Sequence, residues 1–242
     1  MNPKQAPEAI PKTTLRSHPQ LRPRIGVFGG AFDPPHLGHF KLAQSAIIDL
    51  QLDSLIIVPT GQGLHKSRCM SPEHHRLKMT QLAFQDLPNA RVDPCELDRG
   101  GVSYTIDTVL SLSTQLPGSD FYLIIGADQA EAFDTWHRWT DILQIVTLAV
   151  AARSSQIQPD TTLEHPKVEL ESYKWHNQAL AQGIQKIKGH TDPRIAVSLH
   201  MPCMPVSATQ IRSTIQQQGG EVSQWLNPLV LAYIRSHFLY TP

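Results

Sequence analysis

The chain has 242 residues, 40% hydrophobic and 17% charged, a globular balance with no overall disordered signature and enough length for one sizeable α/β core. Lys plus Arg equal Asp plus Glu at 21 each, which excludes bulk attraction to nucleic acid or an anionic membrane; any anion site must be built locally. No apolar run approaches a membrane span, and Cys69, Cys95 and Cys203 are scattered without a CxxC pair, so a soluble protein in the reducing cytoplasm is expected.

Met1 to Pro23 holds five prolines and no apolar stretch of the signal-peptide kind; it is read as a flexible N-terminal tail ahead of one domain over residues 24–242. Arg24 to Phe28 is short, apolar and β-branched and reads as a buried strand. Gly29-Gly30-Ala31-Phe32-Asp33-Pro34-Pro35-His36-Leu37-Gly38-His39 follows, and then Phe40, Ala43, Ile47 and Leu50 recur at helical spacing. Strand, glycine-rich loop and helix in that order suit a phosphate, because glycine lets the backbone approach and the helix start offers unpaired N–H groups. His36 and His39, three apart at a first helical turn, share a face and point two imidazoles at one ligand. The same pair is also readable as half of a metal site, but no Cys or carboxylate pair nearby completes a ligand set.

Ser54 to Pro59 is the next strand and closes a βαβ unit. The loop after it, Thr60 to Arg68, carries His65, Lys66 and Arg68, equally readable as a solvated loop or as an anion contact at the ligand-binding edge. Ser71-Pro72-Glu73 opens a helix running to Phe84, with Ser71 as cap and Pro72 at the first position. Arg91 to Cys95 reads as a third strand, and Ser103-Tyr104-Thr105-Ile106-Asp107-Thr108 leads into a helix through Leu112. Phe121 to Ile125 is a fourth strand; Asp128, just past it, is either a ligand-facing carboxylate or the cap of a helix over Gln129 to Phe133, or both. Trp136-His137-Arg138-Trp139, taken alone, leans to core packing.

Ile145 to Ala151 is a fifth strand, followed by Arg153, and Ile195 to Leu199 a sixth. Residues 154–190 between them are polar and read as an insertion or a mobile segment. Val206-Ser207-Ala208-Thr209-Gln210-Ile211-Arg212 opens a helix whose hydroxyls and arginine make a second phosphate cradle; alone, it reads first as a Ser-capped helix. Asn227-Pro228 starts the last helix, with Val230, Tyr233, Ile234 and Phe238 at core spacing. The expected fold is a doubly wound, Rossmann-like parallel α/β sheet with helices on both faces and a small C-terminal helical part.

Read together, these motifs resemble the bacterial nicotinate-nucleotide adenylyltransferases of the HxGH nucleotidylyltransferase superfamily, from about Arg24 to Tyr240 apart from 154–190. The resemblance rests on the Gly29–His39 string, His65-Lys66, Ser103 to Thr108, Ile125 to Asp128, Trp136, Ser207-Ala208-Thr209-x-x-Arg212 and the ending Leu226 to Tyr240. The chain departs from the family pattern where Ser154-Ser155 follow Arg153 in place of Pro-Gly, and where the loop before His65 lacks paired prolines; both bear on the shape of the nucleotide pocket.

The resemblance implies adenylyl transfer from ATP to nicotinate mononucleotide, with Mg²⁺ carried mainly by the phosphates and no dedicated protein ligands. It implies His36, His39, Lys66 and Arg212 as catalytic groups, and Gly29, Gly30, Phe32, Asp128, Ser207 and Thr209 beside them on ATP. On the acceptor it implies His65, Lys66, Arg153, a stacking Trp136, and backbone N–H groups at Thr105 and Ile106 that take the carboxylate. The alternatives are another acceptor for the same chemistry (nicotinamide mononucleotide or phosphopantetheine) and a non-catalytic nucleotide sensor. Trp136 and the Ser103 to Thr108 motif speak against phosphopantetheine, and the intact histidines and arginine against a sensor. No basic surface suggests a nucleic-acid partner, and homo-oligomerisation is left open.

Overall fold

The computed structural model describes residues 22–61, 70–151, 196–199, 206–217 and 220–241. Six strands form one sheet, β1 (Arg24–Gly30), β2 (Ser54–Pro59), β3 (Ala90–Val92), β4 (Asp120–Gly126), β5 (Val146–Ala151) and β6 (Ala196–Leu199), all parallel in the order β3-β2-β1-β4-β5-β6. The direction of winding reverses between β1 and β4, and in such sheets ligands bind beyond the carboxyl ends at that point. The helices are α1 (Leu37–Asp49), α2 (Glu73–Phe84), α3 (Cys95–Arg99), α4 (Thr105–Gln115), α5 (Ala127–Glu131), α6 (Trp139–Ile145), α7 (Ala208–Gln216) and α8 (Pro228–Ser236).

Alternation along the strands divides the core in two, since successive side chains leave opposite faces. Phe28, Leu55, Ile57, Ile124 and Ala149 pack on one side with Leu42 and Ala46 of α1, Met79 of α2, Ile211 of α7 and Val230 and Ile234 of α8. Val27, Ile56, Val58, Leu123, Ile125 and Leu148 pack on the other with Ile106, Val109 and Leu112 of α4 and Ile142 of α6. Both faces are covered, as expected of a doubly wound parallel sheet.

Four local expectations are corrected. The third strand ends at Val92, and Cys95 opens α3: Asp93 Oδ1 accepts from the Cys95 N–H at 3.1 Å, and Pro94 has no N–H to continue a ladder. Ser71 does not cap α2; Pro72 occupies the cap position, while the Ser71 N–H is spent on Asp33 Oδ2 at 3.2 Å. The helix after β4 starts at Ala127 with Gly126 before it, so Asp128 sits in the first turn instead of capping. Phe238 is 77% exposed, outside the core, at a left-handed φ of 50° just beyond α8. The N-terminal tail before residue 22 and the segment 154–190 lie outside the described residues.

Candidate active site

Strand β1 runs through Gly29 and Gly30, and the chain then turns through Ala31 to Pro35 before α1 begins after His36. A Cβ on Gly30 would meet the Phe32 ring at 2.9 Å, whereas one on Gly29 would meet nothing within 4 Å, so the space above Gly29 is open. Phe32 is buried, with its ring centroid 5.2 Å from that of His39 and 5.5 Å from that of Phe28. It therefore supports His39 from within the core, leaving its backbone as the part nearest a ligand.

The rings of His36 and His39 stack with centroids 3.8 Å apart. The His36 N–H donates to His39 Nδ1 at 3.2 Å, which assigns the remaining proton of a neutral His39 ring to Nε2. Burial lowers the His36 pKa to about 4; burial, with the neighbouring His36 ring, holds His39 well below the usual histidine value. Both rings are thus neutral near pH 7, each with one ring N–H to donate. A Cβ on Gly38 would lie 3.0 Å from His36 Cε1 and Nδ1 and 3.5 Å from Val206, so this glycine makes room for the ring where α1 and the segment leading into α7 meet.

From α7 comes Arg212, whose Nη1 donates to the Asp33 carbonyl at 2.6 Å and Nη2 to Thr209 Oγ1 at 3.0 Å. Ser207 caps this helix, its Oγ accepting from Gln210 N–H at 3.1 Å. The Asp33 carboxylate is buried and accepts from Tyr240 Oη at 2.7 Å as well as from Ser71 N–H. Burial and that carboxylate push the Tyr240 phenol up, so its proton stays on the hydroxyl.

On the other side of the glycines lies a cavity of about 480 Å³, lined by Gly29, Gly30, Tyr104, Thr105, Trp136 and His137 among others. Tyr104 precedes α4, and the first helical bonds, from Asp107 and Thr108 N–H to its carbonyl, begin only after Thr105 and Ile106. Those two N–H groups lie in the free first turn of a helix, where an anion is favoured. Trp136 is half-buried, its ring 5.0 Å from Phe133, and Tyr104 packs on His137 at 4.2 Å. The chemistry available is therefore a row of neutral and cationic donors on one side and an aromatic, anion-accepting cavity on the other.

Residues 27–214 match the family model described as cytidylyltransferase-like. A probable nicotinate-nucleotide adenylyltransferase from Albidiferax ferrireducens is 42% identical over 217 residues, covering 90% of this chain and 98% of that protein. The chain belongs to the nicotinate-nucleotide adenylyltransferase family. A second probable member, from Methylibium petroleiphilum, is 37% identical and covers 94% of this chain and 96% of its own length. The fold of the Plasmodium falciparum nicotinic acid mononucleotide adenylyltransferase complexed with NaAD is similar, with a TM-score of 0.66 at 14% identity, covering 90% of this chain and 98% of that one. As an HxGH nucleotidylyltransferase the chain is assigned, at family level, adenylyltransferase chemistry in NAD biosynthesis.

Within this adenylyltransferase, the structure gathers Gly29, Gly30, His36, His39, Ser207, Thr209 and Arg212 around one loop, and Thr105 and Trp136 around the adjoining cavity. Asp128 is exposed at the carboxyl end of β4, and Ile106 is fully buried, so only its backbone can serve a ligand. His65, Lys66 and Arg153 lie outside the described residues. Arg76 and Glu96, built into the walls of the site, belong to none of the motifs; Asp33 and Tyr240 lie in two of them, but their pairing gives no sign there. Asp33 and Tyr240 stand 207 positions apart, and only the fold makes them partners. None of the described helices is long and apolar enough to cross a membrane.

Proposed function

We propose that the chain transfers the adenylyl group of ATP to nicotinate mononucleotide, giving nicotinate adenine dinucleotide and pyrophosphate. The observation that carries this reading is the stacked His36–His39 pair at the point where the sheet reverses, opening beside a cavity that combines Trp136 with the free first turn of α4. A phosphate oxygen of the acceptor attacks the α-phosphorus in line, the bond to the bridging oxygen breaks, and pyrophosphate leaves with that electron pair. The attacking phosphate is already anionic at neutral pH, so no side chain has to remove a proton from it.

Catalysis then rests on positioning and on charge stabilisation. The His39 Nε2–H and the His36 ring donate to α- and β-phosphate oxygens, while Arg212, Thr209 and Ser207 receive the departing pyrophosphate. Gly29 and Gly30 let the nucleotide lie against the backbone, with Phe32 behind His39 and Asp128 on the ATP side. Lys66 adds positive charge at the phosphates. Among the described residues no three His, Cys, Asp or Glu side chains converge as a metal cage. The groups facing the phosphates are donors suited to oxygen anions, so Mg²⁺ is proposed to arrive on ATP and to screen the leaving group.

For the acceptor, Trp136 stacks on the pyridine ring, and the Thr105 and Ile106 N–H groups take its carboxylate. An amide in that place would turn an N–H toward a donor, which selects against nicotinamide mononucleotide. His65 and Arg153 complete the acceptor contacts in this reading. The balanced charge and scattered cysteines support a cytoplasmic setting with small-molecule partners and neither nucleic acid nor membrane. The test is incubation with ATP, Mg²⁺ and nicotinate mononucleotide followed by mass spectrometry: equimolar dinucleotide and pyrophosphate are expected, and their absence refutes the reading.

A further inference from the structure

The peptide joining Thr60 to Gly61, at the carboxyl end of β2, has both of its polar groups taken by buried side chains of opposite charge. Its carbonyl accepts from Arg76 Nη1 at 2.6 Å, and its N–H donates to Glu96 Oε2 at 3.3 Å. Arg76 is 1% exposed and Glu96 7% exposed. Arg76, on α2, also donates to the carbonyls of Ala31 at 3.2 Å and Ser71 at 3.1 Å, so one guanidinium ties the β1 loop, the β2 tip and the start of α2 together. Glu96, on α3, spends its other oxygen on Thr108: Oε1 accepts from Thr108 Oγ1 at 2.8 Å. Thr108 belongs to the first turns of α4, the helix whose start faces the acceptor cavity, and Thr60, Glu96 and Thr108 all line that cavity. Gly61 has no room for a side chain, because a Cβ there would come within 2.7 Å of the Glu96 carbonyl oxygen.

We propose that Glu96, working against Arg76 across the Thr60–Gly61 peptide, is a positioning residue that fixes the start of α4 relative to the β2 tip and so sets the acceptor site. The reasoning is geometric. The two N–H groups at the head of α4 are useful to an anion only if the helix is held at a fixed distance from the β1 and β2 loops. The Glu96 carboxylate is the side chain that bonds both of those parts, while Arg76 holds the β2 tip to the phosphate loop. Glu96 touches no reacting atom; it acts through Gly61 and Thr108. The inference rests on the acceptor reading given above.

The test uses the full-length protein and three variants, with KM for each substrate and the hydrogen-exchange rate of the Gly61 amide by NMR. Glu96→Ala raises KM for nicotinate mononucleotide about tenfold, with KM for ATP changed by less than about twofold, because it leaves two buried donors unpaired beside the acceptor site alone. In the same variant Gly61 exchange accelerates about tenfold or more while the β1 and β4 amides stay as slow as in the parent protein. Glu96→Gln restores both readouts, its carbonyl accepting from Gly61 and its NH₂ donating to Thr108 Oγ1. Gly61→Ala, which pushes the β2 tip off Glu96 without removing a polar partner, reproduces the acceptor defect and serves if Glu96→Ala does not fold. Equal rises in both KM values, or an unchanged acceptor KM in Glu96→Ala or Gly61→Ala, overturn the proposal. If the parent protein does not use nicotinate mononucleotide, the acceptor reading fails by itself. Gly61 exchange then decides the clamp: acceleration in Glu96→Ala with recovery in Glu96→Gln supports it, and no change contradicts it.

Discussion

The backbone N–H of His36 is bonded to Nδ1 of His39 at 3.2 Å, so the first residue of the His-x-Gly-His motif determines which nitrogen of the last one carries the ring proton. Replacing His39 by Ala removes that donor and lowers kcat by about two to three orders of magnitude, the usual cost of losing one preorganised contact to developing charge. Single-turnover rates and thermal unfolding, measured together, check this. An active, stable His39→Ala protein would contradict the role.

Gly38 tests the same pair from the other side. In Gly38→Ala the new methyl group would sit 3.0 Å from the His36 ring, with Val206 closing the space behind it. The ring has to shift, so kcat falls by about tenfold or more; Gly38 is buried, but the clash falls on the His36 ring, so the fold survives. Circular dichroism and steady-state kinetics separate the two effects.

The depressed imidazole pKa values make a stability prediction. In the unfolded chain each ring takes up a proton near the ordinary value of about 6.5, but in the folded protein His36 does so only near 4. Between those values the unfolded state holds more protons, so stability falls as the pH drops through this window, and the loss from His36 is complete below it. The unfolding midpoint is therefore expected to fall between pH 6.5 and 4, with a shallower slope in His36→Asn. An identical slope in the two proteins would contradict this assignment.

Phe238 occupies the position where helices most often place glycine. Its N–H bonds to the Arg235 carbonyl at 3.3 Å and the Leu239 N–H to the Ile234 carbonyl at 3.1 Å, the pattern of a left-handed helix ending, at a φ of 50°. The ring is largely exposed and contributes little packing. Phe238→Gly should raise stability by about 1 kcal/mol, readable as a higher denaturant midpoint with unchanged kcat.

Much of this was legible in the chain itself, for reasons the structure makes plain. β2 was readable because Leu55, Ile56, Ile57 and Val58 are buried on both faces of the sheet, and the last helix because Asn227 accepts from Leu229 N–H ahead of Pro228. The Gly29–His39 string was readable because each constraint in it is local: an open face over Gly29, a ring against Gly30, a ring beside Gly38. What escaped was long-range. Arg76 and Glu96 are charged residues in polar helical segments and give no sign in sequence that they meet on one peptide; Tyr240 meets Asp33 only through the fold. Phe238 matched the apolar period of α8 but falls two residues past the helix, where the backbone turns it outward.

Transfer to an acid-bearing acceptor can be read in a single competition assay. Pyrophosphate release is measured with ATP and Mg²⁺ while nicotinate and nicotinamide mononucleotides are offered separately and then together. A kcat/KM for the acid at least about tenfold above that for the amide is expected, the order that follows when one buried donor is left facing another. Equal values for the two would contradict the carboxylate contact at Thr105 and Ile106, and release with neither would contradict the proposed reaction.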